Sequence, residues 1–416
     1  MFNLDLLCKN SKIASRSLIN VNDVTINNVL IYSAKLLKDN REIIKKENEK
    51  DVINAKQNGK SASFIDRLLL TDKVIDSIAE GFIQVSKLVA PLNKEVYSFY
   101  NEFQEISVKK ITVPFGVIGI IFEARPNVTA DAFALCFKTK NAVILRGGSD
   151  AINSNMAIVN VIKSALKEYG IDENAVSLIT DTSRDVAKEF MKMNKYLDLL
   201  IPRGGASLIK TTLQESTIPV IETGTGNCHV FVDEFANIDM AVNVIFNAKT
   251  QRYSVCNALE SIVIHSKILE NALPKIEEKL LEKEVEIFAD ERAIKYLKNK
   301  LPATEEDFYT EYGCAKISVK VVDSIEEAIV HINEHSTGHS ESIITENKEN
   351  AEKFLNEIDS SCVYHNASTR FSDGFVFGLG AEIGISTQKL HARGPMGLEA
   401  LVTTKYVVKG DGAVRK

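Results

Sequence analysis

Between residues 114 and 228 the sequence alternates short apolar runs with longer amphipathic stretches. The apolar runs predict strands at 117–122, 142–145, 176–179, 197–201 and 218–221. Helical spacing of apolar residues predicts helices between these runs, at 153–169, 185–194 and 206–215. This rhythm, with strands that are apolar throughout, is typical of a parallel sheet with helices on both faces. The sequence therefore predicts an α/β fold.

The first hundred residues have helical periodicity instead. A helix near 26–37 should continue through the charged run 45–51, which we interpret as a solvated face. Thr71 should cap the N-terminus of a second amphipathic helix. This segment shows no residue pattern that suggests chemistry of its own.

A second α/β region is predicted from about 229 to 385. In it we expect helices at 240–250 and near 274–283, and strands at 261–265 and 317–322; all four follow the same apolar spacing as the first region. Two further stretches, 106–113 and 401–408, are β-prone. We expect each of these to be an exposed edge strand that pairs with another copy of the chain.

Composition narrows the class of protein. Hydrophobic residues make up 45% and charged residues 25%, which is typical of soluble globular proteins, and the net charge of -6 offers no global attraction for nucleic acid. No apolar run approaches the roughly 18 residues that span a bilayer, and the N-terminus lacks a signal-peptide core, so we expect a cytoplasmic protein. The six cysteines show no CxxC spacing, so we expect reduced thiols and no metal site.

Three polar segments follow predicted strands, at 146–148, 202–205 and 222–226. Because ligands of parallel sheets bind beyond the carboxyl ends of the strands, these segments mark a candidate binding edge. The two Arg-Gly-Gly turns each precede a predicted helix, whose N-terminal N–H groups could receive a phosphate while the arginine adds a charged donor. The alternative is that the glycines only close tight turns.

Cys256 is the one cysteine with a polar sequence environment. Lys249 and Arg252 are near it in sequence, and nearby positive charge lowers the pKa of a thiol and so favours the nucleophilic thiolate. The alternative is an inert buried thiol, which we expect for Cys136 and Cys362.

Two histidine patterns are less informative. Cys228 and His229 are adjacent, but neighbours on a strand point to opposite faces, so a catalytic dyad is a weak interpretation. His331, His335 and His339 have the i, i+4 spacing of a metal-binding helix face. Because no HExxH motif is present and a glycine interrupts the pattern, we interpret them as a solvated helix end.

Two polar residues accompany Cys256. Asn127 follows the predicted strand 117–122, and Glu222 follows the predicted strand 218–221, 34 residues before Cys256 (256 minus 222). Each is by itself most simply a turn or loop residue. Taken together with a glycine-rich half, however, this Asn, Glu and Cys resemble the aldehyde dehydrogenase superfamily.

Several long segments strengthen the resemblance, which covers nearly the whole chain and is loosest in the N-terminal helices. These segments are similar to a branch of the superfamily that reduces an acyl phosphate in proline biosynthesis. The segments are GVIGIIFEARPNV at 116–128, NAVILRGG at 141–148, IPRGGA at 201–206, NAKTQR at 247–252, NASTRF at 366–371 and STQKLHARGPMG at 386–397. The chain departs from the pattern at Tyr253, where proline is frequent, and at Cys362, His365 and Phe375, where smaller or apolar residues are common.

The resemblance implies an aldehyde dehydrogenase-like α/β fold with three parts. Residues 1–100 and 114–228 would form a Rossmann-type cofactor-binding domain, residues 229–385 an α/β catalytic domain, and residues 101–113 and 399–416 a small β oligomerisation element. The implied activity is NADPH-dependent reduction of L-glutamyl 5-phosphate to L-glutamate 5-semialdehyde, with release of phosphate, through a cysteine thioester. The implied partners are a small-molecule substrate, further copies of the chain and, functionally, glutamate 5-kinase, with no nucleic acid and no membrane.

The resemblance also assigns roles to individual residues. Cys256 would be the nucleophile, and the Asn127 amide and the backbone N–H of Cys256 would hold the oxyanion. Arg146 would contact the adenosine ribose, where an arginine suits the 2′-phosphate of NADPH. The cofactor-binding candidates are Arg146, Gly147, Gly204, Gly205, Glu222 and Glu311. The substrate-binding candidates are Arg125, Asn366, Ser368, Thr369 and His391.

Two alternatives remain open. In a hydrolytic aldehyde dehydrogenase, Glu222 would activate water against the thioester, whereas an acyl-phosphate reductase needs no such base because water is not a reactant. The second alternative is an inactive cofactor-binding scaffold, which the presence of both Cys256 and Asn127 disfavours.

Overall fold

The computed structural model describes residues 2–415. The helices of the first 222 residues are α1 (Leu4–Leu18), α2 (Asp23–Asp39), α3 (Arg41–Gln57), α4 (Ala62–Leu68), α5 (Asp72–Lys87), α6 (Pro126–Lys138), α7 (Ile152–Glu168), α8 (Arg184–Phe190) and α9 (Ala206–Glu215). The strands of this part are β1 (Glu95–Asn101), β2 (Ile106–Pro114), β3 (Val117–Phe122), β4 (Ala142–Arg146), β5 (Val176–Leu178) and β6 (Leu199–Arg203).

The rest of the chain continues the alternation. Its helices are α10 (Ile238–Thr250), α11 (Leu269–Leu281), α12 (Glu305–Phe308), α13 (Ile325–His335) and α14 (Lys348–Glu357). Its strands are β7 (Cys228–Val232), β8 (Leu259–His265), β9 (Glu286–Ala289), β10 (Leu301–Pro302), β11 (Lys316–Val322), β12 (Ser340–Ile344), β13 (Cys362–His365), β14 (Ile385–Ser386), β15 (Gly394–Pro395) and β16 (Val402–Gly410).

The chain divides into two compact units. The first consists of Met1–Glu222, Gly378–Gly384 and Met396–Lys416, and the second of Thr223–Phe377 and Ile385–Pro395. Within the residues that the structure describes, no helix combines the length and the apolar character needed to cross a membrane.

A parallel sheet in the order β5-β4-β3-β6 forms the centre of the first unit. All six residues of β3 are buried, as expected for a strand with neighbours on both sides. Four of the five strands predicted in this part are confirmed, with ends shifted by up to two residues. The predicted strand 218–221 is wrong: it contributes only a single bridge between Val220 and Leu200. Pro219 lacks the N–H group that a regular ladder would need there.

The N-terminal helices differ from prediction in one respect. Thr71 caps α5 as predicted, because its side chain accepts a hydrogen bond from Val74 N. The charged run 45–51, however, belongs to a separate helix, α3, and ends in a buried carboxylate. Asp51 Oδ2 accepts hydrogen bonds from Ser154 N at 2.8 Å and Ser154 Oγ at 2.5 Å, so it satisfies the first turn of α7. The solvated-face interpretation is therefore wrong for Asp51.

The two β-prone stretches near residues 106 and 402 pair with each other. Strands β2 and β16 are antiparallel over nine residues, and β1 pairs with the other side of β2. The expectation that 106–113 and 401–408 are two separate exposed edges is wrong, because a long-range pairing within the chain joins them. The edges of this three-stranded sheet are β1 and β16.

The second unit contains a seven-stranded parallel sheet in the order β10-β9-β11-β8-β7-β12-β13. Its central strands β7 and β8 are buried over their whole length. The predicted strands 261–265 and 317–322 and the predicted helix 240–250 are confirmed within two residues. The helix near 274–283 is α11, which begins five residues earlier than predicted and contains Pro274. Because β7 and β8 are parallel neighbours, the loops that precede them meet at one edge of the sheet.

Candidate active site

Cys256 lies in the second unit, in the loop between α10 and β8, and its side chain is half-buried. Its carbonyl oxygen accepts a hydrogen bond from Cys228 Sγ at 3.2 Å. Cys228 itself is fully buried, and burial raises the pKa of its thiol well above the ordinary value. Cys228 thus contacts the Cys256 loop as a protonated thiol. It is not a candidate nucleophile.

The loop that precedes β7 packs directly against Cys256. A Cβ atom on Gly226 would overlap the carbonyl oxygen of Cys256, so no residue other than glycine fits at 226 with the backbone as it stands. Gly226 N also donates a hydrogen bond to Glu311 Oε1 at 3.0 Å. The structure therefore places Glu311, a cofactor-binding candidate, next to the backbone that holds Cys256, the candidate nucleophile.

The segment 368–372 packs on the residue after the nucleophile. Thr369 Oγ1 donates to the carbonyl oxygen of Asn257 at 2.8 Å, and Asn257 Nδ2 donates to the carbonyl oxygen of Ser372 at 2.9 Å. Ser368 and Thr369 are both buried, and the Ser368 hydroxyl accepts from Arg370 N. Of these two substrate-binding candidates, Thr369 contacts the Cys256 loop directly, and Ser368 holds the turn that carries Thr369.

The remaining substrate-binding candidates of the second unit lie at other points of its loops. Asn366 has a left-handed backbone (φ 55°), and its side chain bonds to both backbone groups of Thr345. His365 Nε2 also bonds to the carbonyl oxygen of Thr345, at 3.0 Å. His391 is exposed and has a positive φ of 44°.

Arg370, which the sequence analysis did not single out, adds positive charge near Cys256. Arg370 Nε donates to Gln251 Oε1 at 2.9 Å. Burial lowers the pKa of Arg370, and the attraction of the nearby Cys256 sulfur opposes that shift. Arg370 lies inside the NASTRF motif, which was the one sequence signal available for it.

Lys249, predicted as a basic neighbour of the thiol, has a different role. Its Nζ lies 2.6 Å from Glu260 Oε2, and both side chains are almost completely buried. Burial lowers the pKa of Lys249 and raises that of Glu260 to about 7. The prediction that Lys249 supplies positive charge to Cys256 is therefore wrong, because Lys249 forms a buried ion pair with Glu260.

The three spaced histidines are buried, so the predicted solvated helix end is wrong. The rings of His331 and His335 stack at 4.0 Å, and His335 Nε2 bonds to Glu305. Burial lowers the pKa of His331 to about 2 and that of His339 to about 4, so both are neutral. Among the described residues no group of three or more metal-ligating side chains has the geometry of a metal site.

In the first unit, Arg146 ends strand β4 and its guanidinium contacts the loop after β5. Arg146 Nη2 donates to the carbonyl oxygen of Thr182 at 2.7 Å and of Ser183 at 3.2 Å. Its Nε is buried and has no hydrogen-bond partner. Burial lowers the pKa of Arg146, against the attraction of Asp181. Gly147 follows at a tightly packed point, where a Cβ atom would overlap the Asn155 amide.

The turn before α9 already holds an anionic oxygen. Gly205 N donates to Glu123 Oε1 at 3.0 Å, and a Cβ atom on Gly204 would come within 2.8 Å of the same carboxylate. Glu123 is exposed, so its side chain can leave this position. The backbone donor at Gly205 is therefore suited to a phosphate oxygen.

Asn127 begins helix α6 and is half-buried. Its Nδ2 donates to Asp131 Oδ2 at 3.2 Å, one helical turn further on. Burial raises the pKa of Asp131 to about 6, while the Asn127 hydrogen bond and Arg203 act in the opposite direction. Arg125 lies just before this helix and is exposed. Glu222 is half-buried and lies outside any strand, so the prediction that it ends a strand is wrong.

Comparison with known proteins decides which family these features represent. The family model described as "Aldehyde dehydrogenase family" matches residues 31–292 and 312–407. The chain belongs to the aldehyde dehydrogenase family. The resemblance drawn from the sequence motifs and the predicted aldehyde dehydrogenase-like α/β fold are both confirmed.

Individual relatives place the chain more narrowly within the family. A gamma-glutamyl phosphate reductase of Lachnospira eligens is 54% identical over 416 residues, which cover all of both chains. The protein of the same name from Clostridium acetobutylicum is 52% identical over 410 residues, which cover 99% of this chain and 98% of the relative. The crystal structure of gamma-glutamyl phosphate reductase from Thermotoga maritima is 46% identical, covers 99% of each chain and superposes with a TM-score of 0.96.

Proposed function

We propose that this chain catalyses the NADPH-dependent reduction of L-glutamyl 5-phosphate to L-glutamate 5-semialdehyde, with release of phosphate, in proline biosynthesis. This is the activity of a gamma-glutamyl phosphate reductase, an oxidoreductase. The observation that carries it is the 54% identity, over the full length of both chains, to a relative of that name. The second unit supports it with a half-buried cysteine, Cys256, whose backbone packs so closely on Gly226 that a Cβ atom there would overlap it.

Cysteine suits both halves of this reaction. The Cys256 thiolate attacks the acyl carbon and phosphate leaves, which gives a thioester on Sγ. NADPH supplies the hydride that reduces this thioester. The resulting thiohemiacetal collapses to the aldehyde and returns the thiolate, which is a good leaving group. An oxyanion forms in each half, and we propose the backbone N–H of Cys256 and the Asn127 amide as its donors, each worth about 3 kcal/mol.

The residues proposed for the cofactor fit an anionic dinucleotide. The unsatisfied Nε of Arg146 offers a donor to the 2′-phosphate, and Gly205 N, next to Gly204, already accommodates a carboxylate oxygen. We therefore propose Arg146, Gly147, Gly204 and Gly205 as phosphate-binding residues. Two acidic residues are also proposed to bind the cofactor. Glu311 would bind the nicotinamide ribose, and Glu222 is proposed without assignment to a particular group of the cofactor. In this proposal residues 1–100 and 114–228 form the cofactor-binding domain and residues 229–385 the catalytic domain.

Replacing Arg146 with alanine should change the choice between the two nicotinamide cofactors. A guanidinium can pair with the 2′-phosphate of NADPH, which NADH lacks, so the KM for NADPH should rise about tenfold or more while that for NADH stays nearly unchanged. Arg41→Ala is a matched control in the same unit, because Arg41 pairs with Asp76 on the surface. Equal effects of Arg146→Ala on both cofactors would refute the assignment.

A direct assay of the reverse reaction tests the activity itself. Run in reverse, the enzyme should reduce NADP⁺ with glutamate semialdehyde only when inorganic phosphate is present. Oxidation without phosphate would favour the hydrolytic aldehyde dehydrogenase, and no turnover of either kind would favour an inactive scaffold.

Replacing Glu222 with glutamine should separate the reductase from the hydrolytic alternative in the same assay. The reductase needs no base to activate water, so phosphate-dependent turnover should stay within about twofold of the wild type. Removal of a general base typically costs a factor on the order of 10² to 10⁴. A loss of that size in Glu222→Gln would support hydrolysis.

The remaining partners are also part of this proposal. We propose a homo-oligomer in which residues 101–113 and 399–416 contribute, because Tyr406 and Val408 expose large apolar side chains on strand β16. A monomeric mass by light scattering would contradict it. Glutamate 5-kinase is the proposed functional partner, since it supplies the acyl phosphate. We propose a cytoplasmic location, because the reaction requires Cys256 as a thiol.

A further inference from the structure

One arginine lies in the loop that carries Cys256, and a second lies on a segment that the structure fixes against this loop. Arg370 belongs to the segment 368–372, which Thr369 and Asn257 tie to that loop. Arg252 directly follows Gln251, whose side-chain oxygen accepts the hydrogen bond from Arg370 Nε. The two guanidinium groups therefore belong to one connected part of the second unit, together with Cys256.

In the part of the chain that the structure describes, these two guanidinium groups are not paired with carboxylates. In the stretch 2–415, neither Arg252 nor Arg370 forms an ion pair with a carboxylate, whereas Arg292 and Arg393 of the same unit pair with Asp323 and Asp359. Burial lowers the pKa of Arg370 and the repulsion of Arg252 acts in the same direction, while the attraction of the Cys256 sulfur and of Asp373 opposes both. Two like charges held near each other, one of them beside a thiol, are an arrangement that an added anion would stabilise.

We propose that Arg252 and Arg370 form the subsite for the phosphate group, binding it first as part of the acyl phosphate and then as the departing inorganic phosphate. The inference rests on the proposed function, because only an acyl-phosphate substrate brings a phosphate group to Cys256. Planar guanidinium groups match the oxygen geometry of phosphate and can each donate two hydrogen bonds to it.

The chemistry of the first step explains why such a subsite is needed. The Cys256 sulfur forms a bond to the acyl carbon, and the bond between that carbon and the bridging phosphate oxygen breaks. The bonding electron pair leaves with the phosphate, which gains negative charge as it departs and then takes a proton from water. Paired guanidinium groups stabilise that growing charge and so favour thioester formation.

A cofactor-independent measurement tests the subsite with inorganic phosphate. Iodoacetamide alkylates Cys256, and phosphate bound beside it should slow that alkylation with a saturable dependence, at ionic strength held constant with chloride. Arg252→Gln and Arg370→Gln should each raise the phosphate concentration for half-protection about tenfold or more. Arg370→Lys should give an intermediate value, because lysine retains the positive charge but lacks the planar guanidinium that donates two hydrogen bonds to one phosphate.

Arg292→Gln is the matched control, since it removes one surface charge from the same unit and should leave half-protection unchanged. The alkylation rate without phosphate, measured as a function of pH, separately reports the fraction of Cys256 that is present as thiolate. If the two glutamine variants shift only that pH profile and protect at the wild-type phosphate concentration, the arginines serve the thiol alone and the subsite is refuted. Phosphate protection in a protein that lacks phosphate-dependent NADP⁺ reduction would refute the proposed function and leave the phosphate site in place.

Discussion

Replacing Cys256 with alanine should abolish reduction of the acyl phosphate while NADPH binding survives. No other group in the proposed mechanism can hold the acyl intermediate, so the loss in kcat should be on the order of 10⁴-fold or more, as for nucleophiles of other covalent enzymes. The phosphate-binding turns proposed for NADPH lie in the other unit and are untouched by the substitution. Cys256→Ser should be nearly as inactive, because a serine hydroxyl is poorly ionised at neutral pH.

Limited alkylation followed by peptide mapping checks the same assignment in the wild-type protein. Cys256 should be labelled first, and residual activity should fall in proportion. Burial raises the pKa of Cys8 to about 12 and raises that of Cys136 even further, so these thiols should react slowly. Exposed Cys314 is the informative control, and Cys314→Ala should keep full activity. Loss of activity with the label on Cys314 and none on Cys256 would show that the mechanism is wrong.

The sheets were predictable from sequence where burial is uniform. Strand β3 coincides with the apolar run 117–122, and helix α9 coincides with the predicted 206–215, because a strand buried on both faces and a helix with one apolar stripe each leave a local pattern. The pairing of β2 with β16 left no such pattern, since nearly 300 residues separate the two strands. Each appeared to be an edge because local sequence carries no information about a distant partner.

The same limit applies to the site. The resemblance assigns Cys256 as the nucleophile, but the contacts that hold its loop join residues far apart: Gly226 to Glu311 across 85 positions and Arg370 to Gln251 across 119. Charge was misassigned for the same reason, because Lys249 is neutralised by Glu260, a residue whose role only the folded strand β8 reveals. The spacing of the three histidines was read correctly as helical for His331 and His335, but spacing does not report burial.

Of the substitutions that add a single methyl group near Cys256, Gly226→Ala should lower activity most. The new Cβ atom would overlap the carbonyl oxygen of Cys256, and backbone on both sides leaves no flexible side chain to move away. Either the Cys256 loop or the loop before β7 must shift, and a shift of about 1 Å at a reacting group costs on the order of 10²-fold in rate. The hydrogen bond from Gly226 N to Glu311 should be lost with it.

The same substitution should lower the free energy of unfolding by about 1–3 kcal/mol, as overpacking of an interior does. Gly170→Ala is the matched control: it adds a methyl group in open space at a positive φ of 66°, so it should cost some stability but leave kcat unchanged. Thermal melts read with kcat, and with the alkylation rate of Cys256, separate a displaced nucleophile from an unfolded protein. Because the clash is with the backbone of Cys256 itself, a folded Gly226→Ala enzyme with wild-type kcat and wild-type thiol reactivity would mean that this loop does not position the nucleophile.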